Sequence, residues 1–297
     1  MTSAAVSVRE LARGDLDLAG RFCDRARAAD PLVEPFAQRL PIIAEGPRAL
    51  LALWRVAQDE HGALQGIAFV ALREPLGERG ESATADLYAA VAPDLRRQGL
   101  GRALCDPALE WALGRRATLR ARVHEDARAG QAFLLALGFA QTSAQLTLGW
   151  SARPVEAPTM PALRVKRLAR GEALRDLERL SREAWAGAPD TFATRSDEVA
   201  QLFAEEGRLV LLAEAEGRAV GYLSAVWLGR TLGIEEVAVL PEFRRTGIGR
   251  ALVAAGLSGA AHAVLSVAES NRAARALYRS LGFTVSARRL VHELRHG

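Results

Sequence analysis

Arg244, Arg245, Thr246, Gly247, Ile248 and Gly249 stand between an apolar, strand-like stretch and an amphipathic one that reads as a helix. A helix start presents backbone N–H groups without intrahelical partners and the positive end of the peptide dipole. Glycines at that point let a phosphate approach the backbone closely, which makes an anion site. Taken alone, a Gly-x-Gly at a helix start is equally a tight turn. The string is neither a dinucleotide fingerprint, which needs a third glycine, nor a P-loop, which needs Gly-Lys-Ser/Thr.

The same string occurs twice. V-A-P-D-L-R-R-Q-G-L-G-R-A-L around Pro93 is matched by V-L-P-E-F-R-R-T-G-I-G-R-A-L around Pro241. L-A-L-G-F at 135–139 is matched by R-S-L-G-F at 279–283, and the openings of the two halves agree as well. Duplication at this spacing predicts two domains, residues 1–150 and 162–297. Residues 151–161, S-A-R-P-V-E-A-P-T-M-P, carry three prolines and no periodicity, and read as a linker.

The elements that position the glycine loop follow from periodicity. In the second half, residues 163–168 alternate as a strand, and helices are expected over 172–185 and 196–205. Residues 208–215 form an apolar strand that Glu216-Gly217 turns back into 219–228. A strand over 231–240 leads into the loop. The helix from Gly247 sets Ile248, Ala251, Leu252 and Ala255 on one face. A short strand at 264–267 precedes a helix that Asn271 caps and Gly282 ends, with Ala274, Leu277, Tyr278 and Leu281 along one face. A last pair of strands is expected to finish near Leu294. The result is an α/β fold, a mixed sheet with helices packed against it.

Composition excludes other classes. Half the residues are hydrophobic (49%) and a quarter charged (25%), as in a globular chain. The formal charge of +4 is small, nearly all basic residues are arginine with Lys166 the lone lysine, and they interleave with Asp and Glu. No basic patch marks a nucleic-acid binder. No stretch has the length of a membrane span, and the first fifteen residues lack a secretory core. Cys23 and Cys105 fit no metal or redox spacing, so a cytoplasmic protein with two ordinary thiols is expected. His292 and His296 lack a third ligand, and no metal is expected.

At the two repeated motifs the chain resembles the GNAT superfamily of N-acetyltransferases, as tandem GNAT-like domains with mostly antiparallel sheets. V-A-V-L-P-E-F-R-R-T-G-I-G-R-A-L resembles the family's acetyl-CoA motif, and S-V-A-E-S-N-R-A-A-R-A-L-Y-R-S-L-G-F the strand and helix that follow. The resemblance implies that the backbone of Arg244, Arg245, Thr246, Gly247, Ile248 and Gly249, with Arg250, holds the CoA pyrophosphate. It implies that the strand ending at Val239 splays from the one ending at Val267. Pantetheine would lie in the gap against Val237, Ala238 and Val239, where backbone N–H polarises the thioester carbonyl. Asn271 belongs to the same cofactor-binding set.

Tyr278, by itself, is an aromatic on the inner face of a helix. The resemblance makes it the acid that protonates the departing CoA thiolate, since N-x-x-A-x-x-L-Y is intact. For the base the candidates are Glu235 and Glu236. Adjacent strand residues face opposite sides, so one at most points into the cleft. Glu235 shares parity with Val237 and Val239 and is the choice. Some family members carry the base where this chain has Gly233, others where it has Ser266, and a water relay with no single base stays open. Trp185 and Trp227 border the acceptor pocket by resemblance, or are ordinary core.

The first copy keeps its loop, Arg96, Arg97, Gln98, Gly99, Leu100, Gly101 and Arg102, a possible second CoA site. Leu134 stands at the place of Tyr278, Ala127 at that of Asn271, and Leu87 and Tyr88 at those of the glutamates. Pro107 is expected to kink the helix after its loop. This half is expected to be catalytically degenerate, either a CoA binder or a scaffold. Chemistry is then confined to the second half: acetyl transfer from acetyl-CoA to a primary amine by direct attack in a ternary complex. A small-molecule amine or a peptide N-terminus is the acceptor, with no nucleic-acid or membrane partner. The duplicated organisation with one degenerate half is also similar to that of the mycothiol synthases, whose acceptor is a cysteinyl sugar. The rival from another class is a non-catalytic acyl-CoA sensor or docking protein.

Overall fold

The structure is a computed structural model that describes residues 6–11, 15–33, 51–73, 84–156, 158–186 and 206–295. It divides into two units, Met1–Ala144 with Arg288–Gly297, and Gln145–Ala287.

The first unit runs β1 (Ser7–Glu10), α1 (Leu16–Ala29), β2 (Leu51–Gln58), β3 (Leu64–Arg73), β4 (Thr84–Val91), α2 (Leu100–Arg115), β5 (Thr118–His124) and α3 (Arg128–Ala136). β1 to β4 pair antiparallel in sequence order, and β4 pairs parallel with β5 through the α2 crossover. Helix α2 runs continuously through Pro107. Its buried face of Leu104, Cys105, Ala108 and Ala112 holds it to the sheet.

The second unit contains β7 (Leu163–Arg167), α4 (Leu174–Trp185), β8 (Arg208–Ala215), β9 (Arg218–Leu228), β10 (Thr231–Val239), α5 (Ile248–Gly256), β11 (His262–Ala268) and α6 (Arg272–Ser280). β7 to β10 pair antiparallel in order, and β10 pairs parallel with β11. The β8–β9 hairpin turns on Glu216 (φ 53°) and Gly217 (φ 73°), both left-handed, as a two-residue hairpin loop requires. The helix expected over 196–205 lies outside the described residues.

The remaining strands are β6 (Ala140–Ser151) and β12 (Thr284–Leu294). The pair expected near the C-terminus is one long strand. β6 follows the first half in the chain, yet residues 145–151 pair with β11 of the second unit. β12 ends the second half, yet residues 289–294 pair with β5 of the first unit. Division by repeat, 1–150 against 162–297, and division by contact therefore differ by an exchange of final strand segments. Residues 151–161 are not a loose tether: Val155 and Met160 pack against the second unit's core.

That core has two faces. Leu223, Leu232, Ile234, Ile248, Leu252, Leu265 and Tyr278 pack under α5 and α6. Leu177, Leu180, Val210, Leu212, Tyr222, Ala238 and Leu240 pack under α4. Among the described residues no helix is long and apolar enough to cross a membrane, and no group of His, Cys, Asp or Glu is arranged to hold a metal. His296 lies outside the described residues.

Candidate active site

The parallel pairing of β10 with β11 starts at Thr231–His262 and stops at Ile234–Leu265. Beyond it, residues 235–239 and 266–268 have no ladder between them, and this is the gap expected to take pantetheine. The chain then passes a single helical turn, Pro241–Phe243, and enters α5 through the glycine loop. Arg245 (φ 67°) and Gly247 (φ 102°) are left-handed. Left-handed residues in such a loop turn neighbouring N–H groups to one side, as an anion cradle needs. A Cβ on Gly247 would enter a left-handed position, and one on Gly249 would meet Leu277 Cδ2 at 3.3 Å.

Not every loop side chain is available to a phosphate. Arg244 donates from Nε to the Val239 carbonyl (3.1 Å) and from Nη2 to that of Ala184 (2.7 Å), tying the loop to β10 and α4. Thr246 Oγ1 donates to the Phe243 carbonyl at 2.7 Å. Arg250 Nη1 donates to Ser280 Oγ at 2.9 Å. The cradle is therefore chiefly backbone.

Asn271 caps α6: its side-chain oxygen accepts from the Ala274 N–H at 3.0 Å. That fixes the start of the short helix carrying Tyr278. The Tyr278 ring is buried and meets Phe283 edge-on at 5.6 Å. Burial pushes its phenol pKa up to about 12, so the hydroxyl keeps its proton through the neutral range.

The glutamates depart from expectation. The β9–β10 register shifts between Ile234 and Glu236, so Glu235 is the extra residue of a bulge. Before the bulge, Leu232 and Ile234 face α5; after it, Val237 and Val239 do, while Ala238 and Leu240 face α4. The phase of the strand flips at Glu235, so strict alternation does not separate the two carboxylates. Glu235 is exposed and ion-paired with Arg208 of β8, whose Nη1 also reaches Ser224 Oγ at 3.1 Å. Glu236 is half-buried, and its Oε2 accepts a hydrogen bond from Tyr222 of β9 at 2.6 Å. Burial raises the Glu236 carboxyl above the usual carboxylate range; the Tyr222 hydrogen bond opposes this, nearby Glu235 adds to it, and the charge of Arg208 opposes it. Sequence parity points to Glu235; in the structure Glu236 is the more buried of the two, and its carboxyl is the one held above the ordinary range.

Tyr222 and Arg208 were not singled out in the sequence. Tyr222 looks like any aromatic in an apolar strand, and no local pattern marks a bulge between two glutamates. Tyr222 is buried against α4, where Leu177, Leu180 and Trp185 pack with it, and Ser181 and Trp185 act on its hydroxyl. Trp185 thus has a polar task besides packing, whereas Trp227 packs against the core beside Gly207. The acceptor loop expected near 186–200 lies, past Ala186, outside the described residues.

The first unit repeats half of this arrangement. β4 leaves β5 at Asp86–Arg120, and Arg97 (φ 66°) and Gly99 (φ 85°) reproduce the cradle. Arg96 Nε holds the Val91 carbonyl at 3.1 Å, as Arg244 holds that of Val239. β3 and β4 pair without a register shift, so there is no bulge. Leu87 and Leu134 are core residues, and Tyr88 stacks on Phe69 at 4.7 Å.

A splayed parallel strand pair with a glycine loop at its mouth and a buried tyrosine on the following helix sets the class of this α/β fold. Residues 30–139 and 172–283 each match the acetyltransferase (GNAT) family, to which this chain belongs. It is similar to the mycothiol acetyltransferase of Clavibacter sepedonicus, 34% identical with 93% of this chain and 89% of that one covered. The mycothiol acetyltransferase of Thermobifida fusca is 29% identical, with 88% and 89% covered. Among solved structures, a GCN5-related N-acetyltransferase from Sphaerobacter thermophilus superposes with a TM-score of 0.75 at 22% identity, over 98% of this chain and 96% of that one. A tandem GNAT protein from the clavulanic acid biosynthesis pathway gives 0.75 at 21%, over 99% of each. These two show the fold. The chain is an N-acetyltransferase of the tandem GNAT type.

Proposed function

We propose that the second unit transfers the acetyl group of acetyl-CoA to a primary amine by direct attack in a ternary complex. The observation that supports it best is that the cradle, the splayed strands, buried Tyr278 and the bulged glutamates all occur in this unit, while the first keeps only cradle and splay. The residues present suit the donor: the N–H groups of residues 244–249 for the pyrophosphate, the open edge of Val237, Ala238 and Val239 for pantetheine. Glu236 takes the amine proton, with Glu235 beside it, and Tyr278 gives one to the CoA thiolate. A covalent cysteine intermediate is disfavoured, because Cys23 and Cys105 lie in the first unit and burial pushes both thiols up to about 12. Buried, unpaired thiols also suit the cytoplasm.

The named relatives favour an acceptor of the mycothiol class, a cysteinyl sugar amine. The test incubates the purified full chain with acetyl-CoA and a panel of that amine, polyamines and peptide N-termini. Acetylated acceptor is read by mass, because a cysteinyl thiol would confuse a thiol assay. Acetylation of the cysteinyl sugar above all others is expected. Acetyl-CoA binding with no acetylated product from any amine would instead make the chain an acyl-CoA sensor.

A further inference from the structure

We infer that Tyr222 is a positioning residue for the transfer reaction, holding Glu236 toward the acceptor side of the splayed strands and setting the pH at which it accepts a proton. The inference rests on the reading of Glu236 as the base. Three observations carry it. Tyr222 donates to Glu236 Oε2 at 2.6 Å, a charge-assisted geometry whenever the carboxylate is ionised. The bond is a diagonal across the β9–β10 ladder just past the bulge: the register sends Glu236 to the face of Tyr222, and the phenol fixes where its carboxylate lies. The phenol ring is itself buried against α4, packed with Leu177, Leu180 and Trp185, so it cannot swing away from the carboxylate without breaking that packing.

The groups facing Glu236 can be named. Tyr222 comes from β9, Glu235 from its own strand and Arg208 from β8, while α4 acts through Tyr222. Burial and Glu235 favour the neutral acid; Tyr222 and Arg208 favour the carboxylate. Arg208 pairs with Glu235 and acts on Glu236 through its charge, while Tyr222 hydrogen-bonds Glu236 directly. Loss of the phenol therefore moves proton uptake by Glu236 to higher pH, and the base is ionised over a narrower range.

The test is Tyr222→Phe in the full chain. Glutamate carboxyls are followed by 13C NMR through a pH titration, with Glu236 assigned by its absence in Glu236→Gln. The Glu236 midpoint is expected to rise by about one pH unit in the Phe variant. The acid limb of kcat/KM for the acceptor should move by the same amount, with kcat/KM down about tenfold on that limb and KM for acetyl-CoA unchanged. In a Glu236→Gln background the same change should have no further effect, because the group it orients is gone. An unmoved carboxyl titration, or an equal activity loss in that background, overturns the inference. Full activity of Glu236→Gln alongside a shifted titration overturns the assignment of the base instead. Should Tyr222→Phe not fold, Trp185→Phe loosens the packing behind the phenol and should shift the Glu236 midpoint the same way by less; no shift there also overturns it.

Discussion

Tyr222 and Glu236 share a 2.6 Å hydrogen bond without being register partners: Tyr222 lies opposite Ala238, and Glu236 opposite Ser224. The contact is a diagonal across the β9–β10 ladder, within reach of a tyrosine. It exists because the bulge at Glu235 returns Glu236 to the α4 face. The same bulge sets Glu235 on Arg208, so two adjacent carboxylates are steadied by different partners on neighbouring strands.

Replacing Gly247 and Gly249 with valine should weaken acetyl-CoA binding at the second unit by an order of magnitude or more. At Gly247 the cause is backbone: a left-handed residue with a branched side chain costs about 1–2 kcal/mol, so the cradle reshapes. At Gly249 it is volume, against Leu277. Calorimetric titration checks it, and unchanged affinity in a folded variant would remove the assignment of this loop.

Tyr278→Phe should lower kcat by about 10²–10⁴-fold with acetyl-CoA affinity nearly unchanged. The ring keeps its edge contact with Phe283, so only the proton donor is lost. Since burial pushes this phenol up to about 12, activity should show no alkaline limb from Tyr278 below about pH 11. Full activity in the Phe variant would reduce Tyr278 to a packing residue.

Glu236→Gln should abolish most turnover while raising thermal stability in a pH-dependent way. The folded chain holds this carboxyl above its ordinary range, so it binds its proton more tightly than the unfolded chain. The stability this gives is present below the ordinary glutamate range and is lost as pH rises through the raised value. Glutamine never ionises and still accepts from Tyr222. The melting-temperature gap between variant and native chain should open as pH rises above the ordinary glutamate range, by about 2–4 °C per kcal/mol. A gap that closes with rising pH would contradict the raised carboxyl.

The first unit should add no turnover. With Gly247 and Gly249 replaced, acetyl transfer should fall to background although the loop at residues 96–102 is intact. Leu134 cannot protonate a thiolate, and Leu87 offers no carboxylate. Residual turnover of a tenth or more of the native rate would mean that the first unit is catalytic.

Glu293→Ala should destabilise the first unit by about 1.5–3 kcal/mol, because it removes the cross-strand carboxylate that faces buried Arg120. The pair is 3.3 Å apart, with side chains only 4% and 7% exposed. Chemical denaturation measures the loss. A change below 1 kcal/mol would show that Glu293 does not hold β12 in register there.

Much of this chain was legible as sequence. Period-two runs gave β8 and β9 within a residue of their ends, the glycine loop marked the start of α5, and Asn271 and Gly282 bracketed α6. Comparing the two copies showed which half keeps a tyrosine and two glutamates. These are local properties: a strand alternates, a cap accepts its own N–H, and a glycine tolerates positive φ wherever it sits.

What only the tertiary structure decided is non-local. A repeat shows which residues correspond, but not which neighbour a strand will pair with. Residues 145–151 could thus complete the second unit and residues 289–294 the first, with no trace in the sequence. Alternation assigns faces only while the ladder is regular. One inserted residue at Glu235 shifts the phase and brings Glu236 to Tyr222. A bulge is settled by how β10 pairs with β9 and by what β8 and α4 place on that face, and none of those partners is adjacent in the chain.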